Sequence, residues 1–98
     1  MPHIIYAHDY PDALERRKAA REAHLAGIAA LRAKGKVLYV AAILNGAGDM
    51  AGSLLVLDFD TKAEVEAFIA ADPYIAGRVW DPAKIDIRPC RPAPVPTT

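Results

Sequence analysis

Val37-Leu38-Tyr39-Val40-Ala41-Ala42-Ile43-Leu44, then Asn45-Gly46-Ala47-Gly48-Asp49, then Ser53-Leu54-Leu55-Val56-Leu57-Asp58-Phe59 is the stretch that decides the fold. Two apolar, β-rich runs flank turn chemistry, which reads as a β-hairpin. Upstream, Ala13 to about Ala33 is rich in Ala, Leu, Arg and Glu, with Leu14, Leu25, Ile28 and Leu31 on one stripe. That is an amphipathic helix, stopped by Gly35 and capped at its start by Asp12 with Glu15 three residues on. Before it, His3 to His8 reads as a short strand. Downstream, Thr61-Lys62-Ala63-Glu64 is a capping box opening a second helix, whose inward face carries Val65, Phe68 and Ile69 and which Pro73 ends. Val79 to Trp80 and Ile85 to Ile87 supply a last strand around an Asp81-Pro82 turn.

The order is β-α-β-β-α-β, the split βαβ pattern of ferredoxin-like α+β domains, with an antiparallel sheet covered by helices on one face. The two hairpin strands are nearly continuous hydrophobic runs, so the other face is apolar too. A second copy of the chain is the expected cover, giving a homodimer packed sheet against sheet, with Val40 and Val56 in the contact. Residues 1–90 read as one domain; residues 91–98, with Pro92, Pro94 and Pro96, read as a proline-rich tail unable to continue a ladder.

Composition narrows the function. Ninety-eight residues are enough for one core. Twelve basic and 12 acidic residues cancel, so no charge bias points to nucleic acid or an anionic membrane. No apolar run approaches the roughly 20 residues that span a bilayer, and the N-terminus lacks the regions of a signal peptide, so a cytoplasmic protein is expected. Cys90 is the single cysteine, which excludes an internal disulfide and disfavours a structural zinc site. His3, His8 and His24 share no face, so no metal site and no cofactor is expected. Arg16-Arg17-Lys18 reads as the solvated face of a helix.

The candidate chemistry lies in His24 and Asp72. His24 stands ten residues before Lys34, and Asp72 eleven residues after Thr61. In antiparallel helices, at about 1.5 Å per residue, both lie roughly 15–17 Å from one common end. Packed axes are about 8–10 Å apart, so the imidazole and the carboxylate are able to meet. Asp72 before Pro73 also suits the N-cap of a following turn. Arg21 falls between Leu25 and Ile28 on the apolar stripe, where a guanidinium needs an anion.

Arg21-x-x-His24-Leu25 on the first helix, Gly52-Ser53 opening the third strand and Ala71-Asp72-Pro73-Tyr74 closing the second helix resemble the YciI-like (YCII-related) proteins. The resemblance spans about residues 3 to 90. It implies a dimeric ferredoxin-like α/β barrel with a His24–Asp72 dyad in a small pocket. One branch of the family resembles a dehydrochlorinase of chlorinated hydroquinone breakdown that uses the dyad for proton transfer, and the fold is similar to that of muconolactone isomerases. This chain departs from the family on the second strand, where Ala42-Ile43 replaces the usual Gly-Pro pair, and in its longer tail. Two classes of function follow. One is a cofactor-free lyase or isomerase acting on a small activated ring or enol. In it His24 is base and acid, Asp72 its orienter, Arg21 and Ser53 hold an oxyanion, and Tyr74 and Trp80 line the pocket. The other is a non-catalytic small-molecule-binding or structural homodimer whose dyad pins the helices.

Overall fold

The computed structural model describes residues 1–96. Its elements are β1 (Pro2–Asp9), α1 (Leu14–Ala33), β2 (Val37–Leu44), β3 (Met50–Asp58), α2 (Lys62–Ala71), a one-turn α3 (Pro73–Ala76) and β4 (Trp80–Pro89). They form an α+β fold with a four-stranded sheet of order β2-β3-β1-β4, every neighbouring pair antiparallel. The hairpin is β2–β3. Asn45 closes it by accepting the backbone N–H groups of Ala47 and Asp49 at 2.9 and 3.1 Å.

Helix α1 ends as its sequence dictates. Gly35 sits at φ 72°, where a side chain would be strained. Gly35 N–H reaches Arg32 O and Lys36 N–H reaches Leu31 O, a Schellman closure that satisfies two end carbonyls. Its start differs from expectation. Asp12 lies in the left-handed region at φ 58°, and Ala13 takes the cap position with no side-chain bond. Asp12 is therefore a turn residue after Tyr10-Pro11, too far round to cap the helix. In α2, Thr61 does cap, its Oγ1 accepting Glu64 N–H at 3.2 Å.

The core lies between the helices and one face of the sheet: Ile5, Leu55, Leu57, Val65, Val79, Tyr74 and Trp80 are all buried. On β3 the alternation is clean, with Ser53, Leu55 and Leu57 under the helices and Leu54 and Val56 half-buried on the open face. Register places Ile4 and Tyr6 of β1 and Tyr39 and Ala41 of β2 beside these last two. Val40 pairs with Leu55 and so belongs to the helix-covered face, not to the open one. Leu25 is another correction: it is exposed at 42 %, and the buried residues of α1 are Arg17, His24 and Ile28.

The last strand is continuous through Asp81-Pro82, with a register shift against β1 between Ala7 and Asp9 taking up the irregularity. Asp81 accepts Ala83 N–H at 3.0 Å, so the expected turn is a local kink inside the strand. Beyond Pro89, residues 91–96 are exposed and form no element; Thr97 and Thr98 of the expected tail lie outside the described residues. Among the described residues no helix is long and apolar enough to cross a membrane.

Candidate active site

Asp72 is positioned by the junction of two helices. It is the C-cap of α2 and the N-cap of α3, and Pro73 behind it starts the short helix. Its Oδ1 accepts Tyr74 N–H at 2.8 Å, fixing the carboxylate. Gly77 lets α3 seat against α1: a Cβ there would stand 2.9 Å from Pro73 O and 3.4 Å from the Ala20 Cβ. With α3 seated, both carboxylate oxygens lie 2.9 Å from Nδ1 of His24. Both side chains are buried.

The direction of that bond follows from its partners. A carboxylate already accepting an amide N–H can only accept again, so Nδ1 carries the proton and donates it. Nε2 is then the ring's acceptor. It has no protein partner among the described residues, nor is it sealed away among the buried unpartnered atoms. His24 lines a cavity of about 180 Å³ together with Arg17, Arg21, Ser53 and Tyr74, so a free basic nitrogen stands at that cavity. The imidazole lies flat on the Tyr74 ring, 4.0 Å between centroids at 10°, and meets Trp80 edge-on at 5.4 Å.

Of the residues expected here, His24 and Asp72 meet, and Arg21, Ser53 and Tyr74 share the cavity with His24. Arg21 is exposed, however, at the cavity's edge and not on a buried stripe. Trp80 is fully buried behind the site, and its indole Nε1–H donates to Ser53 Oγ at 3.0 Å instead of facing the cavity. His3 is buried on the helix side of β1 and His8 stacks on Tyr6 at the strand's far end, apart from His24. Among the described residues no group of three or more His, Cys, Asp or Glu side chains is arranged to hold a metal.

The buried cation is Arg17, four residues before Arg21 and read from sequence as solvated. Its Nη1 donates to both oxygens of Asp9, at 2.8 and 2.9 Å, and its Nη2 to Ser53 Oγ at 2.8 Å. Its guanidinium carbon lies 4.9 Å from the centre of the Tyr74 ring. Burial pushes the Asp9 carboxyl above its usual value, against the pull of the Arg17 charge and hydrogen bonds. Arg17 is seven residues before His24, two turns along the same helix face.

Burial also raises the Tyr74 phenol, with Arg17 and Arg21 opposing and Asp72 and Asp9 assisting. The stability its neutral form contributes is present below the ordinary value of 10.0 and lost as pH rises through the folded value. In a spectrophotometric titration, the last of the four tyrosines to ionise should disappear in Tyr74→Phe. A variant that loses an early phase instead would assign the late one elsewhere.

A family model for the YCII-related domain matches residues 1–85, and the chain belongs to that family. Protein YciI of Escherichia coli O6:H1 is 33 % identical over 87 residues, covering 83 % of this chain and 89 % of that protein. An uncharacterized protein of Haemophilus influenzae is 31 % identical over 97 residues, covering 91 % and 95 %. Among solved structures, the 5-chloro-2-hydroxyhydroquinone dehydrochlorinase of Burkholderia phenoliruptrix AC1100, in complex with 2,5-dihydroxybenzoquinone, superposes with a TM-score of 0.83 at 27 % identity. That match covers 93 % of this chain and 94 % of the enzyme.

Proposed function

We propose that this protein is a cofactor-free lyase or isomerase that moves a proton on a small activated cyclic or aromatic substrate, with His24 and Asp72 as its catalytic dyad. The observation that carries the reading is the free Nε2 of a histidine whose Nδ1 is committed to a carboxylate, at a cavity sized for a small molecule. Nε2 takes a proton from the substrate, Asp72 stabilises the imidazolium formed, and the electron pair released expels an anion or shifts a double bond. The released pair departs with the anion or stays in the shifted double bond, no electrons pass to an outside acceptor, and the chemistry calls for no redox cofactor. Arg21 and Ser53 hold the oxygen on which charge gathers, and Tyr74 and Trp80 form the aromatic wall and its backing. General acid–base catalysis supplies about 10²–10⁴-fold, which suits an acidic proton or a good leaving group. The dehydrochlorinase with which the fold superposes supports this class of reaction.

The test is direct. The protein is incubated with 5-chloro-2-hydroxyhydroquinone, related chlorinated hydroxyaromatics and muconolactones, following chloride release and uptake of solvent deuterium. Turnover of any of them supports the reading. Tight binding without turnover or exchange across the panel would favour the alternative, a non-catalytic small-molecule-binding homodimer.

The strand order β2-β3-β1-β4 supports placement among ferredoxin-like βαββαβ domains, residues 1–90 forming the domain and 91–98 its tail. A cytoplasmic protein engaging neither nucleic acid nor membrane fits the balanced charge. The open sheet face, with Ile4, Tyr6, Leu54 and Val56 side by side, supports a homodimer of dimeric α/β-barrel type. Val56→Asp should dissociate or aggregate that dimer in light scattering. A wild-type monomer at micromolar concentration would exclude it without touching the fold.

A further inference from the structure

Regular alternation along β3 would send Met50 to the open face of the sheet. Ser53, Leu55 and Leu57 lie under the helices, and Met50 is an odd number of residues from each. A bulge changes that. The pairing steps from Ile43 opposite Gly52 directly to Leu44 opposite Met50, two residues of β3 against one of β2, so Ala51 is the extra residue. Leu44 follows Val40 and Ala42 on the helix-covered side, and Met50, opposite it, is turned to that side too. There Met50 lines the cavity beside His24. It also borders two neighbouring spaces. One, of about 470 Å³, is polar, with His8, Asp12, Asn45, Asp49 and Lys84 on its walls. The other is the surface cleft of Lys18, Glu22 and Leu25. Among the described residues, Met50 alone borders all three.

Size gives this position its consequence. An apolar cavity of about 150 Å³ lined by Leu, Ile and Phe holds one benzene. At about 180 Å³, the cavity beside His24 has room for one substituted ring and not for two fused ones. Its other apolar walls are fixed. Ile28 and Leu55 are buried in the core, Val40 is stiff at χ1, and Ala41 and Ala42 have nothing to swing. Leu25 lies exposed at the rim. Met50 is half-buried, unbranched and turns about three bonds. We propose that Met50 is the specificity-determining residue of the cavity, a wall that holds the ligand to a single six-membered ring and separates that ring from the polar space beyond. This rests on the reading that the cavity takes a small molecule, and it names the size class. Substituents on the ring edge nearest Met50 are small and apolar, as hydrogen, halogen or methyl. A fused ring overlaps the thioether. Shortening Met50 joins the two spaces and removes the limit.

The probes are 2,5-dihydroxybenzoquinone, a single ring, and 2-hydroxy-1,4-naphthoquinone, which fuses a second ring to a similar quinone edge. Calorimetry on the full chain should find the single ring bound about 10- to 100-fold more tightly than the fused pair by the wild-type protein. Met50→Ala should lower that ratio at least about 10-fold, while Met50→Leu, of similar volume, keeps most of it. The outcome is a ratio measured on one folded sample, so a general loss of affinity cancels. A wild-type crystal soaked with the benzoquinone gives a reading independent of any variant's folding: the Met50 side chain should touch the ring edge within about 4 Å. The proposal is overturned by equal affinities in the wild type, by a ratio unchanged in Met50→Ala, by a ring out of contact with Met50, or by failure of both probes to bind. Turnover is not read in either experiment. Rings that bind and sort by size without reacting would sink the proton-transfer reading and leave the size limit standing.

Discussion

His24→Asn is expected to lower the rate on any substrate found by about 10²–10⁴-fold while leaving fold and assembly unchanged. The size follows from the absence of a substitute. The other ionisable side chains at the cavity are Arg17, Arg21 and Tyr74. Guanidinium does not deprotonate near neutrality, and Tyr74, pushed up by burial, stays a phenol. Only the imidazole is able to accept a proton there. Asp72→Asn should fail by a different route. The new amide donates to Nδ1, the ring proton moves to Nε2, and the base is lost although every atom is still in place. Nitrogen chemical shifts of the His24 ring distinguish the two tautomers, and an unmoved tautomer in Asp72→Asn would break the link between the carboxylate and the base.

Arg17→Met has the largest expected effect on stability, a loss of about 3–5 kcal/mol, because it strands the buried Asp9 carboxylate without its cation. That is a large share of the roughly 5–15 kcal/mol a domain possesses. Its pH dependence identifies the cause. Without Arg17 the charge and the hydrogen bonds that do most to lower the Asp9 value are gone, leaving the burial that raises it opposed only by the smaller pull of His8. A group with a raised folded value contributes stability below its unfolded value, near 3.8, and loses it as pH rises through the folded one. The deficit relative to wild type should therefore be small in acid and full at neutral pH in urea denaturation. A deficit independent of pH would mean that lost packing, not the stranded carboxylate, is responsible.

What the sequence made legible was local. The hairpin, the Thr61 cap, the Gly35 stop and the break at Pro73 are written in neighbouring residues, and the elements follow from them. His24 and Asp72 were also within reach, because helix rise and packing distance are general. Arg17 was not. A charged residue among charged neighbours reads as surface, and what makes its burial tolerable is Asp9 at the end of another element and Ser53 on a third. No spacing along the chain shows such a partner. The same blindness put Arg21 and Leu25 on the buried stripe: a face of Ala, Leu and Ile is too diffuse to fix rotation about the helix axis, and one polar network turned it. Trp80 was placed in the pocket on its aromaticity, whereas its indole N–H found an acceptor behind the wall.

Asp72 ends one helix, begins the next and holds the histidine, all with one carboxylate. Even glutamate, the nearest chemical relative, carries the charge one carbon further out and gives up the short-range cap on Tyr74 N–H. A saturation library at this position should thus score every variant but Asn, which keeps the cap and loses only the base, as poor both in a screen for abundance and in a screen for turnover. Drift toward a new reaction has to begin elsewhere on the cavity wall, among Leu25, Val40, Ala41, Ala42 and Met50, whose side chains bear no share of that double duty.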